Sequence, residues 1–400
     1  MKQNAIIPIF IPHKGCPNDC VFCNQKKITA RQKPFEISDV RGRIEEYLPT
    51  LLGRGLSTLE IAFFGGSFTG IPLEEQQAYL AVAKEYKDRG LVQRIRLSTR
   101  PDYIDDRILE NLRIWGVDLI ELGVQSLDPE VLRRSNRGHG PQIVYESAAK
   151  IREAGFELGI QLMIGLPGDT KEKSLYSVRE AVGMKPAVAR LYPTVILKET
   201  ALYEDWKSGR FQPFSQEAMV DVTKEMYRIL RDAGVNVIRV GLKSTDLISG
   251  KEGSAAVAET YHPAFRQLIC AELAREELER QLTALLAEGT GRPPAERERT
   301  AGQARSQVRG QAAEQERETE QARSQVRERT APGGGNSRRR VLFSSCGESF
   351  SDMIGNRGSN RAYFEEKYPE LLFRFCRDDS LGQERYRAEW DQRTGRRPDR

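Results

Sequence analysis

The chain has 400 residues, 39% hydrophobic and 30% charged, with a formal net charge of +5. That length allows one large domain with an appendage, and the mild basicity permits an RNA partner without arguing for one. Six cysteines in so long a chain exclude a secreted disulfide scaffold. No apolar stretch approaches a membrane span, and "MKQNAIIPIFIPHKG" is too proline-broken to read as a secretion signal. The expectation is a cytoplasmic protein with no membrane partner.

In chain order, "AIIPIFI" (5–11) reads as a strand, and the loop after it, "HKGCPNDCVFCNQKKITA" (13–30), packs Cys16, Cys20 and Cys23 into eight positions. Three thiols so close cannot all pair as disulfides; they imply a metal. Structural zinc would take His13 as fourth ligand. A [4Fe-4S] cluster would hold three irons on the cysteines and leave the fourth open to a small molecule. Pro17 and Asn18 suit a tight loop, Phe22 could shield one side, and the loop leaves the carboxyl end of a strand, where α/β enzymes keep their chemistry. These features favour the cluster.

Strand-like and helical runs then alternate. The helical stretches are 38–52 with Ser38 as N-cap, 73–90 and 141–155 each ending in glycine, and 215–234. The strands are "LEIAFFG" (59–65), "RIRLST" (94–99), "LIELGVQ" (119–125), "FELGIQLMIG" (156–165), "VARLYPTVI" (188–196) and "VNVIRVG" (235–241). Nearly continuous apolar runs are how strands covered on both faces read. The alternation predicts an α/β fold with a parallel sheet, doubly wound or curled as a barrel, over residues 1–250. Beyond it, 255–288 is helical and 251–290 opens a mostly helical C-terminal extension. Residues 291–340 repeat "QARSQVR" and lack apolar anchors, which predicts a disordered insert. The extension ends over 341–380, and 381–400 reads as a polar tail. Cys270, Cys346 and Cys376 lack ligand spacing and read as isolated buried cysteines.

Cys-x3-Cys-x-aromatic-Cys after a first strand resembles the radical S-adenosylmethionine (radical SAM) enzymes, and "FFGGSFTG" (63–70), "LSTRPDY" (97–103), "ELGVQSLD" (121–128), "RRSNRGHG" (133–140) and "GIQLMIGLPGDT" (159–170) follow in that family's order. The resemblance implies a partial (β/α)6 TIM-like barrel, with a [4Fe-4S] cluster and S-adenosylmethionine as cofactors. It places Phe22 beside the cluster and Gly65 and Gly66 at the cofactor's amino group. Ser98, Gln125 and Gln161 fall near its ribose, and Arg137 falls at its carboxylate, a task suited to a bidentate fork. It implies an external one-electron reductant of flavodoxin or ferredoxin type, and reductive cleavage to a 5′-deoxyadenosyl radical that abstracts hydrogen.

The run "LYPTVILKETALYEDWKSGRFQPFS" (191–215) narrows the resemblance to the elongator catalytic-subunit branch, which modifies tRNA wobble uridine. Tyr192, Lys198 and Tyr203 on it are substrate-side candidates, whereas His139 and His262 read as structural. Two features depart from that branch: the cysteine loop is compact, as in bacterial stand-alone relatives, and no acetyltransferase-type phosphate loop follows residue 250. On the elongator-like run and the mild basicity, the expected substrate is tRNA or another RNA. The alternatives are a small metabolite or cofactor precursor as substrate, or a zinc-stabilised binding module with no catalysis.

Overall fold

Apolar β-rich runs separated by amphipathic helices leave one economical solution, a parallel sheet with the helices packed outside it. The computed structural model describes residues 4–11, 16, 19–24, 35–242, 248, 254–288 and 339–391. His13, Pro17, Asn18 and the expected insert, except Arg339 and Arg340, lie outside them. The chain divides into two units, Met1–Ile269 and Cys270–Arg400.

In the first unit the strands are β1 (Asn4–Ile11), β2 (Thr58–Gly65), β3 (Arg94–Thr99), β4 (Leu119–Gln125), β5 (Glu157–Ile164), β6 (Val188–Pro193) and β7 (Asn236–Val240). They pair in strict chain order, every neighbour parallel, in a curled half-barrel. β7, on the run 235–241, is a seventh strand beyond the six of the partial (β/α)6 barrel. The helices are α1 (Ile37–Leu51), α2 (Leu73–Asp88), α3 (Asp106–Ile114), α4 (Pro129–Arg134), α5 (Pro141–Glu153), α6 (Lys171–Gly183), α7 (Ala201–Lys207), α8 (Gln216–Asp232) and α9 (Phe265–Glu288), the last continuing into the second unit. On β1 to β6, Ile7, Ile9, Ile61, Phe63, Ile95, Leu97, Leu122, Ile160 and Leu191 are fully buried.

Local chemistry corrects three expectations. The N-cap of α1 is Glu36, not Ser38: the Asp39 carboxylate accepts from the Glu36 amide at 2.8 Å. Helix over 255–288 begins only at Phe265, because Pro263 disfavours helical geometry in the residue before it; ahead of it Ala256 forms an isolated bridge to Leu197. Residues 386–390, expected in a polar tail, form a strand of the second unit.

That unit adds β8 (Arg339–Ser345), α10 (Phe350–Ile354), α11 (Ser359–Lys367), β9 (Leu371–Arg377) and β10 (Tyr386–Trp390) to its part of α9. The sheet order is β10-β8-β9, with β8 and β9 parallel and β10 antiparallel. Leu278, Leu282, Val341, Phe343, Met353 and Phe364 form its core, where the Phe343 and Phe364 rings meet edge-on at 4.8 Å. Among the described residues no helix is long and apolar enough to cross a membrane.

Candidate cofactor site

The end of β1 is set by a glycine. Ile11 pairs with Gly65, whose φ is +118°, and a Cβ there would stand 2.2 Å from the Ile11 carbonyl oxygen. Gly66 N–H donates to that same oxygen at 3.1 Å. The pair fixes the point at which the cysteine loop leaves the sheet.

The loop is then gripped from two sides. On one, Val21 N–H donates to the Ser135 carbonyl at 3.2 Å, and Asn136 Nδ2 donates to the Asp19 carbonyl at 2.9 Å. On the other, Leu202 N–H donates to the Val21 carbonyl at 2.8 Å. Cys23 N–H closes a turn on the Cys20 carbonyl at 2.9 Å. Arg137, 5% exposed, bridges loop and sheet, with Nη1 3.3 Å from Cys20 Sγ and Nη2 2.5 Å from the Gly123 carbonyl. The resemblance implies a cofactor carboxylate for Arg137; in the structure its fork rests on the Cys20 sulfur and a strand carbonyl.

The thiols fit a cationic cluster by their chemistry. Cys20 is buried, and Cys16 and Cys23 are half-buried. Burial, reinforced by the neighbouring Cys20 and Cys16 and opposed by Arg137, pushes the Cys23 thiol up to about 12. A bound metal centre is what stabilises such a buried thiol as the thiolate. Among the described residues no three His, Cys, Asp or Glu groups converge on a single ion's coordination sphere.

Within the half-barrel, alternate residues of adjacent strands build a charged layer that sequence reasoning missed. Arg190 grips Glu121 bidentately at 2.5 and 3.0 Å, and Arg96 approaches the same carboxylate at 3.5 Å and Glu60 at 3.1 Å. Burial opposes the Arg190 charge, but Glu121 and the Tyr192 hydroxyl outweigh it and raise its pKa. For Arg96 burial prevails over the two carboxylates, and its pKa falls. Glu121 reaches Arg190 across β5 because position 159 is glycine: a Cβ there would lie 2.7 Å from Glu121 Cγ. The signal was present as single charges at alternate positions of apolar runs, in "RIRLST", "LIELGVQ" and "VARLYP".

The layer orients several expected site residues. Gln161 Nε2 donates to both Glu121 Oε2 and Ser98 Oγ at 3.1 Å, which turns its amide oxygen away from them. Gln125 has φ +69° at a register shift of β4, which re-aims its side chain over Gly123, close to Arg137. Arg190 Nη1 donates to the Tyr192 hydroxyl at 3.3 Å. Of the substrate-side candidates, Tyr192 enters this network, Lys198 is exposed, and the Tyr203 ring lies tilted against Trp206 at 5.7 Å. Phe22 lies half-buried within the loop. Beside the polar layer, Phe10 (43% exposed) and Phe64, rings 5.7 Å apart, give the interior an apolar wall.

The description "Radical SAM superfamily" matches residues 10–178, and "Radical_SAM C-terminal domain" matches 186–275. The chain belongs to the radical SAM superfamily, and its cofactors are a [4Fe-4S] cluster and S-adenosylmethionine. Elongator complex protein 3 of Saccharomyces cerevisiae is 28% identical over 300 residues, covering 61% of this chain and 53% of that protein. The tRNA uridine(34) acetyltransferase of Methanocaldococcus infernus is 25% identical over 293 residues, 61% of this chain and 54% of its own. The chain thus spans about half the length of these curated relatives. The solved structure of the archaeal Methanocaldococcus infernus Elp3, with its N-terminus deleted, shares the fold at a TM-score of 0.54 and 20% identity, over 70% of this chain and 64% of that one.

Proposed function

We propose that this radical SAM enzyme modifies uridine in tRNA. The observation that carries the reading is its similarity to Elongator complex protein 3 and to an archaeal tRNA uridine(34) acetyltransferase, over about 300 residues. When bound, the cluster and S-adenosylmethionine supply a one-electron reductive cleavage that yields a 5′-deoxyadenosyl radical for hydrogen abstraction.

The chain's own residues hold and shield that chemistry. Cys16, Cys20 and Cys23 would ligate three irons, with Phe22 covering one flank. Gly65 and Gly66 would offer backbone free of Cβ atoms to the cofactor's amino group. Ser98, Gln125 and Gln161 would supply hydroxyl and amide groups for its ribose. Arg137, next to Cys20, would exchange a strand carbonyl for the cofactor's carboxylate, the stronger charge-assisted acceptor. Tyr192, Lys198 and Tyr203 would lie toward the substrate. An external flavodoxin- or ferredoxin-type donor would supply the electron.

Anaerobic reconstitution tests the cofactor assignment: about four irons and four sulfides per chain are expected in the wild type, and loss in Cys16→Ala, Cys20→Ala or Cys23→Ala. Stoichiometric zinc without iron–sulfur absorbance would overturn it. The nucleoside profile of tRNA from a deletion strain tests the substrate. A missing modified uridine supports the reading; an unchanged profile, with cofactor cleavage intact, assigns the enzyme to a small-molecule substrate.

A further inference from the structure

Arg100, directly after β3, is 3% exposed. Its guanidinium is fixed by three hydrogen bonds: Nε donates to Asp102 Oδ1 at 2.9 Å, and Nη2 donates to Asp102 Oδ2 at 2.8 Å and to the Arg137 carbonyl at 2.6 Å. Nη1 is buried and has no hydrogen-bond partner among the described residues. A carboxylate gripped on one edge leaves the outer edge of a guanidinium unused, and a buried N–H without an acceptor is costly unless a bound group supplies one. The Arg100 charge is within electrostatic reach of Cys16 and Cys20. The backbone it anchors carries Arg137, whose own fork ends on Cys20 Sγ.

We propose that Arg100 is a positioning residue of the iron–sulfur site, a locked positive charge whose unused Nη1–H is kept for the net-anionic cluster that the three cysteine thiolates complete. The inference rests on the radical SAM reading. Three thiolates more than neutralise the core charge of such a cluster, and one-electron reduction adds a further negative charge. A fixed cation nearby therefore stabilises the reduced form more than the oxidised one and raises the midpoint potential. Asp102, the counter-ion of Arg100, works in the opposite sense.

The test uses anaerobically reconstituted full-length protein: wild type, Arg100→Met, Arg100→Lys and Asp102→Asn. Iron and sulfide content is assayed and the midpoint potential is read by redox titration monitored by electron paramagnetic resonance. Arg100→Met should load iron yet show at least a tenfold lower ratio of reduced to oxidised cluster at fixed potential, a shift of about 59 mV for one electron. Arg100→Lys should recover most of it, and Asp102→Asn should shift the potential upward. Unchanged potentials in loaded variants, or Met and Asn variants moving in the same direction, would overturn the proposal. If Arg100→Met fails to load, Asp102→Asn decides: an upward shift supports the inference, and none refutes it. Wild-type protein that binds no cluster would instead strike at the radical SAM reading itself.

Discussion

The His139 imidazole is half-buried, its Nδ1 3.2 Å from the Gly140 carbonyl oxygen. Burial, followed by the Arg137 charge, lowers its pKa to about 4. The unfolded chain takes up a proton near the ordinary histidine value of about 6.5, so folding excludes that proton. The stabilisation is fully present above about pH 6.5 and is lost as pH falls toward 4, at most about 3 kcal/mol. Denaturant melts of wild type and His139→Gln at stepped pH check this: the variant should lose that part of the acid slope. Arg137 is a second test. Arg137→Ala should weaken S-adenosylmethionine binding roughly tenfold to a hundredfold, the range for hydrogen bonds to charged groups, in protein that still loads iron. Equal affinity by titration would assign the guanidinium to the contacts with Cys20 and the Gly123 carbonyl.

Strands β3 to β6 succeed as a unit because Gly159 leaves space for Glu121 to meet Arg190. Breaking a buried ion pair by removing one partner costs about 3–5 kcal/mol, so Glu121→Leu should lower the denaturation midpoint steeply. Gly159→Ala should have a smaller effect in the same direction, since its Cβ would press on Glu121 and Val188. Removing the exposed pair Arg43–Glu46 should change little. Equal midpoints for wild type and Glu121→Leu would remove the layer from the stability argument. The same strands explain what the sequence revealed. Leu97, Leu122 and Ile160 made the strands and their parallel order legible, since both-face burial produces long apolar runs. Arg96, Glu121 and Arg190 were not legible as partners, because period-2 alternation shows which face a residue takes but not which residue it meets across two strands. The cysteine spacing disclosed the metal chemistry. The grip of Ser135, Asn136 and Leu202 on the loop rests on backbone bonds that side-chain patterns do not encode.

Every residue assigned to the cofactor site precedes residue 204, whereas residues 289–338 separate α9 from β8. Replacing that stretch with a short Gly/Ser linker should preserve iron loading and cofactor cleavage. Loss of either in a variant that remains folded would show that the stretch belongs to the catalytic part. The strictly sequential strand order also has a consequence for synthesis on the ribosome. The thiols emerge first, yet Ser135 and Asn136, which clasp their loop, follow about 110 residues later. At about 5–20 residues per second that is roughly 5–20 seconds of elongation, and the Leu202 clasp comes later still. For that interval the nascent chain carries three unsheltered cysteines in the loop after an edge strand, open to oxygen and to stray metal ions. Iron supplied before Leu202 has emerged would meet a loop without its second clasp.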